Sequence, residues 1–129
     1  MTLTDFLNTI NGEPYSEERH CWALAAEIQS RFFGRTLPLG TYVRSPGERH
    51  TLIHSHPELG RWVASVRPVH GAVVLMSPRP VNRVDCHAGV CLFMPHPVIV
   101  HTERPQGVAV EDIPAIAARG WHPTYWVPA

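Results

Sequence analysis

Two histidines fourteen residues apart, His87 and His101, flank a Met94-Pro95 turn in the segment DCHAGVCLFMPHPVIVHT. A hairpin centred on that turn sets residues whose numbers sum to 188 opposite each other, so His87 faces His101. Directly opposed Cβ atoms lie roughly 5 Å apart on one face of a sheet. The even separation keeps both rings on that face, and a slip of one residue would divide them. One imidazole can hold a ring nitrogen of the other, fixing its tautomer and leaving the second nitrogen as a base. Such a base asks for a nucleophile, and Cys21, at or near a helix start, is the candidate. Exposed N–H groups and the helix dipole favour a thiolate there. Cys–His–polar sets recur as nucleophilic constellations defined by geometry rather than chain order. Spacing alone leaves the ordinary alternatives open: a small core thiol on an apolar helix face, and a structural or exposed strand histidine.

The elements that must position these residues are legible in outline. Cys21, Leu24, Ala25, Ile28 and Phe32 recur at spacings of three and four, which predicts a helix over Cys21–Phe33. Gly34 follows as a C-cap, and Arg31 lies in the last turn, where the dipole favours a cation. Ser16, followed by Glu17 and Glu18, offers an earlier start and Cys21 a later one. Residues Arg35 to Ser55, with Pro38, Gly40, Pro46 and Gly47, read as loop with at most a short strand. A short helix is expected from Pro57 to Val66, capped by Ser55 or His56, with Leu59, Trp62 and Val63 inward and Pro68 beyond its end. From Gly71 the texture changes to strands: Ala72–Met76, Cys86–Phe93, Val98–Thr102, Val108–Val110 and Thr124–Val127, separated by Pro and Gly. Helices followed by an antiparallel sheet are the α+β layout, and 129 residues make one domain, 1–129.

Composition removes several function classes. Hydrophobic residues are 44% and charged residues 17%, which excludes a disordered chain. Eleven Arg balance eleven acidic groups, so the electrostatic footprint of a non-specific nucleic-acid binder is missing. Met1 to Asn11 lacks the basic and apolar regions of a secretory signal, and no apolar run reaches the roughly 20 residues a bilayer requires. The expectation is a protein made in a reducing cytoplasm, with no nucleic-acid partner and no membrane insertion. Cys86 and Cys91 on one extended strand would lie roughly 16 Å apart on opposite faces, which prevents a disulfide between them.

Taken in order, these segments resemble the NlpC-type cell-wall peptidases, a papain-like clan, and most closely their short phage-tail members. The proline–tyrosine turn of that family is matched by Pro14-Tyr15, and its DCWGLV-like helix start by HCWALAAEIQSRFFGRTLP from His20 to Pro38. Its GDVVL-like strand is matched by Gly71 to Leu75, its HVGIYL strand by His87 to Leu92, and its FIHAS-like strand by Val98 to Thr102 with Gly107-Val108 after it. HPTYWVP, beginning at His122, matches the closing aromatic strand loosely. The resemblance implies a papain-like fold whose Cys-bearing N-terminal helix packs on an antiparallel sheet. It places the nucleophile on Cys21, the base on His87 and the orienting residue on His101. It also implies a substrate or oxyanion role for Tyr15. Trp22 reads as a packing residue or, beside the nucleophile, as the wall of a substrate groove. No metal or other cofactor is implied. The implied reaction is hydrolysis of amide bonds in peptidoglycan stem peptides, typically after a D-γ-glutamyl residue. The implied setting is the virion tail tip, among other tail-tip or hub proteins, opening the wall locally during infection. Three neighbours depart from the pattern: His20 replaces the Asp before the Cys, Ala23 a Gly, and Ala72 the Asp of the GD strand start. These departures speak for an alternative, a catalytically weakened structural or assembly component of the tail tip.

A second motif competes. His54-Ser55-His56-Pro57, then seven residues and Ser65, resembles the HxHP…SxxD signature of JAMM zinc metalloproteases, in which two His and an Asp hold the metal. The position of the third ligand is Pro68, which has no ligating side chain. A non-catalytic zinc site on His50, His54 and His56 is a further variant, and a pair of loop histidines capping a helix is the ordinary one.

Overall fold

The computed structural model describes residues 1–37, 50, 51, 54 and 60–129. Among them run α1 (Leu3–Ile10), α2 (Cys21–Phe33), β1 (Trp62–Ser65), β2 (Val73–Ser77), β3 (His87–Phe93), β4 (Pro97–Glu103), β5 (Gly107–Asp112), α3 (Ile113–Ala118) and β6 (His122–Pro128). The fold is α+β. One six-stranded sheet has the order β1-β6-β2-β3-β4-β5, and every neighbouring pair is antiparallel. None of the described helices is long and apolar enough to cross a membrane.

Alternation along the strands divides the core into two sides. Val90 and Leu92 of β3, with Val100 and Val108, meet Phe6, Leu7 and Ile10 of α1 and Leu24, Ala25 and Ile28 of α2. On the other face Cys91, Ile99, Val74, Met76 and Tyr125 close around Ile116 of α3, with Trp121 against them. The helix over Cys21–Phe33 has the bounds its periodicity predicts, and Gly34 caps it with φ 64°. Of its two candidate starts, the later is realised. Ser16 turns locally, its Oγ accepting from the Arg19 N–H at 2.9 Å, and His20 becomes the N-cap.

Two ties fix α2 in place. Buried Gln29 donates through Nε2 to the Gly71 carbonyl at 2.8 Å, joining the last turns of the helix to the approach to β2. At the other end, Val108 N–H donates to the Glu13 carbonyl and Gly12 N–H to the Val108 carbonyl, each at 2.9 Å, which anchors the segment leading to Tyr15 on β5. Gly107 carries φ 74° there, and a side chain on it would run into the Glu13 carbonyl.

Several expectations are corrected. Pro57 and Leu59 lie outside the described residues, and Trp62–Ser65 is not helix but the edge strand β1, paired with β6. Trp62 and Val63 suit a strand, and Leu59, Trp62 and Val63 made too short a helical pattern to decide between periods. Residues 38–49, which made up most of the expected loop, also lie outside the described residues. The later strands run longer than Val and Ile content suggests, β5 reaching Asp112 rather than Val110 and β6 beginning at His122 rather than Thr124. Both α1 and α3 are additions. A capping box starts α1, with Asp5 N–H donating to Thr2 Oγ1 at 3.1 Å and Thr2 N–H to Asp5 Oδ2 at 3.3 Å. Asp112 caps α3, its Oδ1 accepting from the Ala115 N–H at 2.9 Å.

The register of the β3–β4 hairpin also differs. Gly89, not His87, stands opposite His101, and Phe93 opposite Pro97, so paired numbers sum to 190. The shift is two residues, and both histidines keep the same face.

Candidate functional site

The shifted register brings the two imidazoles together along a diagonal. His87 Nε2 and His101 Nδ1 are 2.9 Å apart, with ring planes at 79° and both residues buried. Gly89 makes this approach feasible, because a Cβ there would stand 2.6 Å from the Val100 carbonyl and 3.2 Å from His101 Cβ. Behind His101 the contacts continue. Its Nε2 lies 2.7 Å from Glu111 Oε1, and Arg119 Nε donates to Glu111 Oε1 at 2.7 Å and Oε2 at 2.9 Å. Trp121 stacks on His87 with ring centroids 4.7 Å apart, and its indole N–H donates to Glu103 Oε2 at 3.2 Å. Sequence reading missed Glu111, Arg119 and Trp121. Their convergence depends on the β4–β5 register and on the return of the chain through α3, which no local spacing encodes.

Burial alone would raise the Glu111 carboxyl. The hydrogen bonds from Arg119 and His101, together with their charges, outweigh it and hold the group below its usual range. Burial pushes the Cys91 thiol up to about 11, which marks it as an inert core sulfur.

Cys21 is the first residue of α2 and is buried. It belongs to the apolar cluster of Trp62, Val73, Leu75 and Ala88, with Trp22 and Trp126 packed against it. Ala88 directly follows His87, so the cysteine and the imidazole lie at the same end of β3. They address it from different faces: Ala88 points to the α2 side, and His87 to the side of Trp121. His20 occupies the N-cap, where its Nδ1 accepts from the Ala23 N–H at 3.3 Å. It thereby serves in a place ordinarily taken by Asp, Asn, Ser or Thr. Tyr15 is half-buried under the Arg104 guanidinium, 5.2 Å from its ring centroid.

The metal motif divides. His56 and Ser55 lie outside the described residues, whereas His50 and His54 are helical and four apart, on one face. The carboxylate beside them is Asp85, not any residue near Pro68. His54 Nε2 lies 2.9 Å from Asp85 Oδ2, Asp85 N–H donates to His50 Nδ1 at 2.8 Å, and Arg83 holds Asp85 Oδ1 at 2.9 Å. One ligand atom from each of His50, His54 and Asp85 lies within 4.8 Å of the others, close enough to share an ion. The contacts present already satisfy the Asp85 carboxylate and commit His50 Nδ1 to a backbone donor. His87, His101 and Glu103 are equally close, but the two histidines are committed to each other.

Comparison of the chain with protein-family models, with curated proteins and with solved structures finds no match.

Proposed function

We propose that this chain is a cysteine hydrolase of the NlpC type, with Cys21 as nucleophile, His87 as base and His101 as orienter. The observation that carries the reading is the buried 2.9 Å contact between His87 Nε2 and His101 Nδ1, at the end of β3 where α2 begins. With Nε2 engaged, Nδ1 of His87 is the nitrogen left to take the Cys21 proton, a transfer that requires ring and thiol to meet around the open end of β3, since they approach that strand from different faces. The thiolate adds to the amide carbonyl, and the Cys21 backbone N–H stabilises the oxyanion. Imidazolium then protonates the leaving amine as the C–N bond breaks, giving a thioester on Cys21. Water, deprotonated by His87, hydrolyses the thioester and restores the thiol. The substrate class is the peptidoglycan stem peptide, cleaved after a D-γ-glutamyl residue, and the setting is a phage tail tip among other tail proteins. Substrate and setting rest on the resemblance of Pro14-Tyr15, the Cys21 helix and the two histidine strands.

The test is digestion of purified peptidoglycan, read by mass spectrometry. New amino termini and stem-peptide fragments are expected from the wild-type chain and not from Cys21→Ala or His87→Ala. Cleavage that survives Cys21→Ala would overturn the thiol mechanism. A wild-type chain that cleaves no wall preparation would overturn the enzymatic reading in favour of a structural tail component.

A further inference from the structure

We propose that Glu111 is a positioning residue that sets the tautomers of both histidines, acting through His101. An ionised carboxylate accepts hydrogen bonds and donates none. Burial favours the neutral carboxyl, but the paired donors Arg119 and His101 hold Glu111 ionised. Across the 2.7 Å contact, His101 must therefore carry its proton on Nε2. An imidazolium would donate from both nitrogens and reverse the order, whereas we take His101 as neutral, so that its other nitrogen is an acceptor and Nδ1 receives a hydrogen bond. Its partner, 2.9 Å away, is His87 Nε2, which must be the donor. That order leaves the lone pair of His87 on Nδ1, the nitrogen the proposed mechanism uses.

Each link is held from outside. His101 is fully buried, so water does not compete for its nitrogens. Arg119 grips Glu111 through both oxygens, fixing the carboxylate plane. Glu103, the other carboxylate nearby, is occupied by the Trp121 indole N–H and by Gln106 Nε2 at 2.9 Å. Trp121 in turn covers the His87 ring. The array is a four-group chain, Arg119–Glu111–His101–His87, in which a charge at one end fixes a lone pair at the other. Its catalytic consequence rests on the thiol-hydrolase reading, but the proton order does not.

The experiment separates the two. Long-range nitrogen–proton NMR of histidine-labelled protein reports which ring nitrogen carries the proton, with or without activity. In the wild-type chain both His101 and His87 are expected as Nε2–H tautomers. In Glu111→Met, which removes the acceptor, both are expected to become mixtures, and Glu111→Gln, which keeps a carbonyl acceptor, is expected to retain the order. Where the chain cleaves peptidoglycan, kcat in Glu111→Met is expected to fall by up to roughly 10⁴-fold with little change in KM, the loss that removal of a tautomer-fixing carboxylate causes in a catalytic triad. A wild-type His101 protonated on Nδ1 would overturn the proposal, whatever the variants do. Unchanged tautomers in a folded Glu111→Met would overturn it as well. The expected tautomers in a chain that cleaves nothing would uphold the positioning role and count against the hydrolase.

Discussion

Gly89 stands directly across the hairpin from His101, and the space its missing side chain leaves is occupied by the backbone of β4 and by His101 itself. A Cβ at Gly89 would be 2.6 Å from the Val100 carbonyl and 2.9 Å from Ile99 Cγ2. Backbone cannot yield as the tip of a side chain can. Gly89→Ala is therefore expected to lower stability by about 1–3 kcal/mol, the usual cost of overpacking a core. Denaturant unfolding checks this, and a change below about 0.5 kcal/mol would show that the hairpin tolerates a side chain at this position.

Acid should weaken the fold through Glu111. Its carboxyl is held below the usual 4.5 in the folded chain, so the unfolded state binds the proton more readily. The corresponding stability is complete above the unfolded value and is lost as pH falls from about 4.5 through the folded one. Stability of the wild-type chain should decline more steeply over that interval than stability of Glu111→Gln. Parallel declines would remove Glu111 from the account of acid sensitivity.

His20 offers a cap that depends on an unprotonated Nδ1. His20→Ala should cost about 1 kcal/mol, as loss of an N-cap ordinarily does, whereas His20→Asp should keep the stability because a carboxylate accepts from the same N–H and favours the helix dipole. Thermal unfolding of the two variants distinguishes them. Equal losses would mean that the ring contributes packing rather than a cap.

How much of this was legible in the sequence differs by element. The α2 helix was, because five apolar positions, a glycine stop and a terminal Arg agree with one another. The shared face of His87 and His101 was also legible, since parity survives a register error of two. The register itself was not, because turn composition does not reveal that Gly89 must lie under His101. Thr2 and Asp5 announced α1 through a capping box that went unread, and Asp112 with Pro114 announced α3 more faintly over six residues. Trp62–Ser65 misled because four residues fit either period. Glu111 and Asp85 were invisible as partners of His101 and His54: each joins its histidine only through sheet register or loop return, ten and thirty-one residues away along the chain.

Trp121 covers His87 by stacking and reaches Glu103 by hydrogen bonding, and these two contributions separate by mutation. Trp121→Phe keeps the stack and loses the hydrogen bond, so it should cost about 1 kcal/mol and preserve activity. Trp121→Ala uncovers the histidines to water and should cost more stability and most of the activity. Unfolding curves and wall-cleavage rates measured together test both halves, and comparable activity in the two variants would show that shielding of His87 does not matter.

The most direct measurement of the central claim is competitive alkylation of the three cysteines in the native chain at neutral pH, resolved by peptide mass spectrometry. Cys21 and Cys86 are equally buried at 5% exposure, and Cys91, pushed to about 11, supplies an inert reference. If Cys21 opens α2 as a nucleophile served by His87, it is modified at least about tenfold faster than Cys86, and His87→Ala removes that advantage. Cys21 modified no faster than Cys86, or equally fast in wild-type and His87→Ala chains, would contradict the thiol–imidazole site.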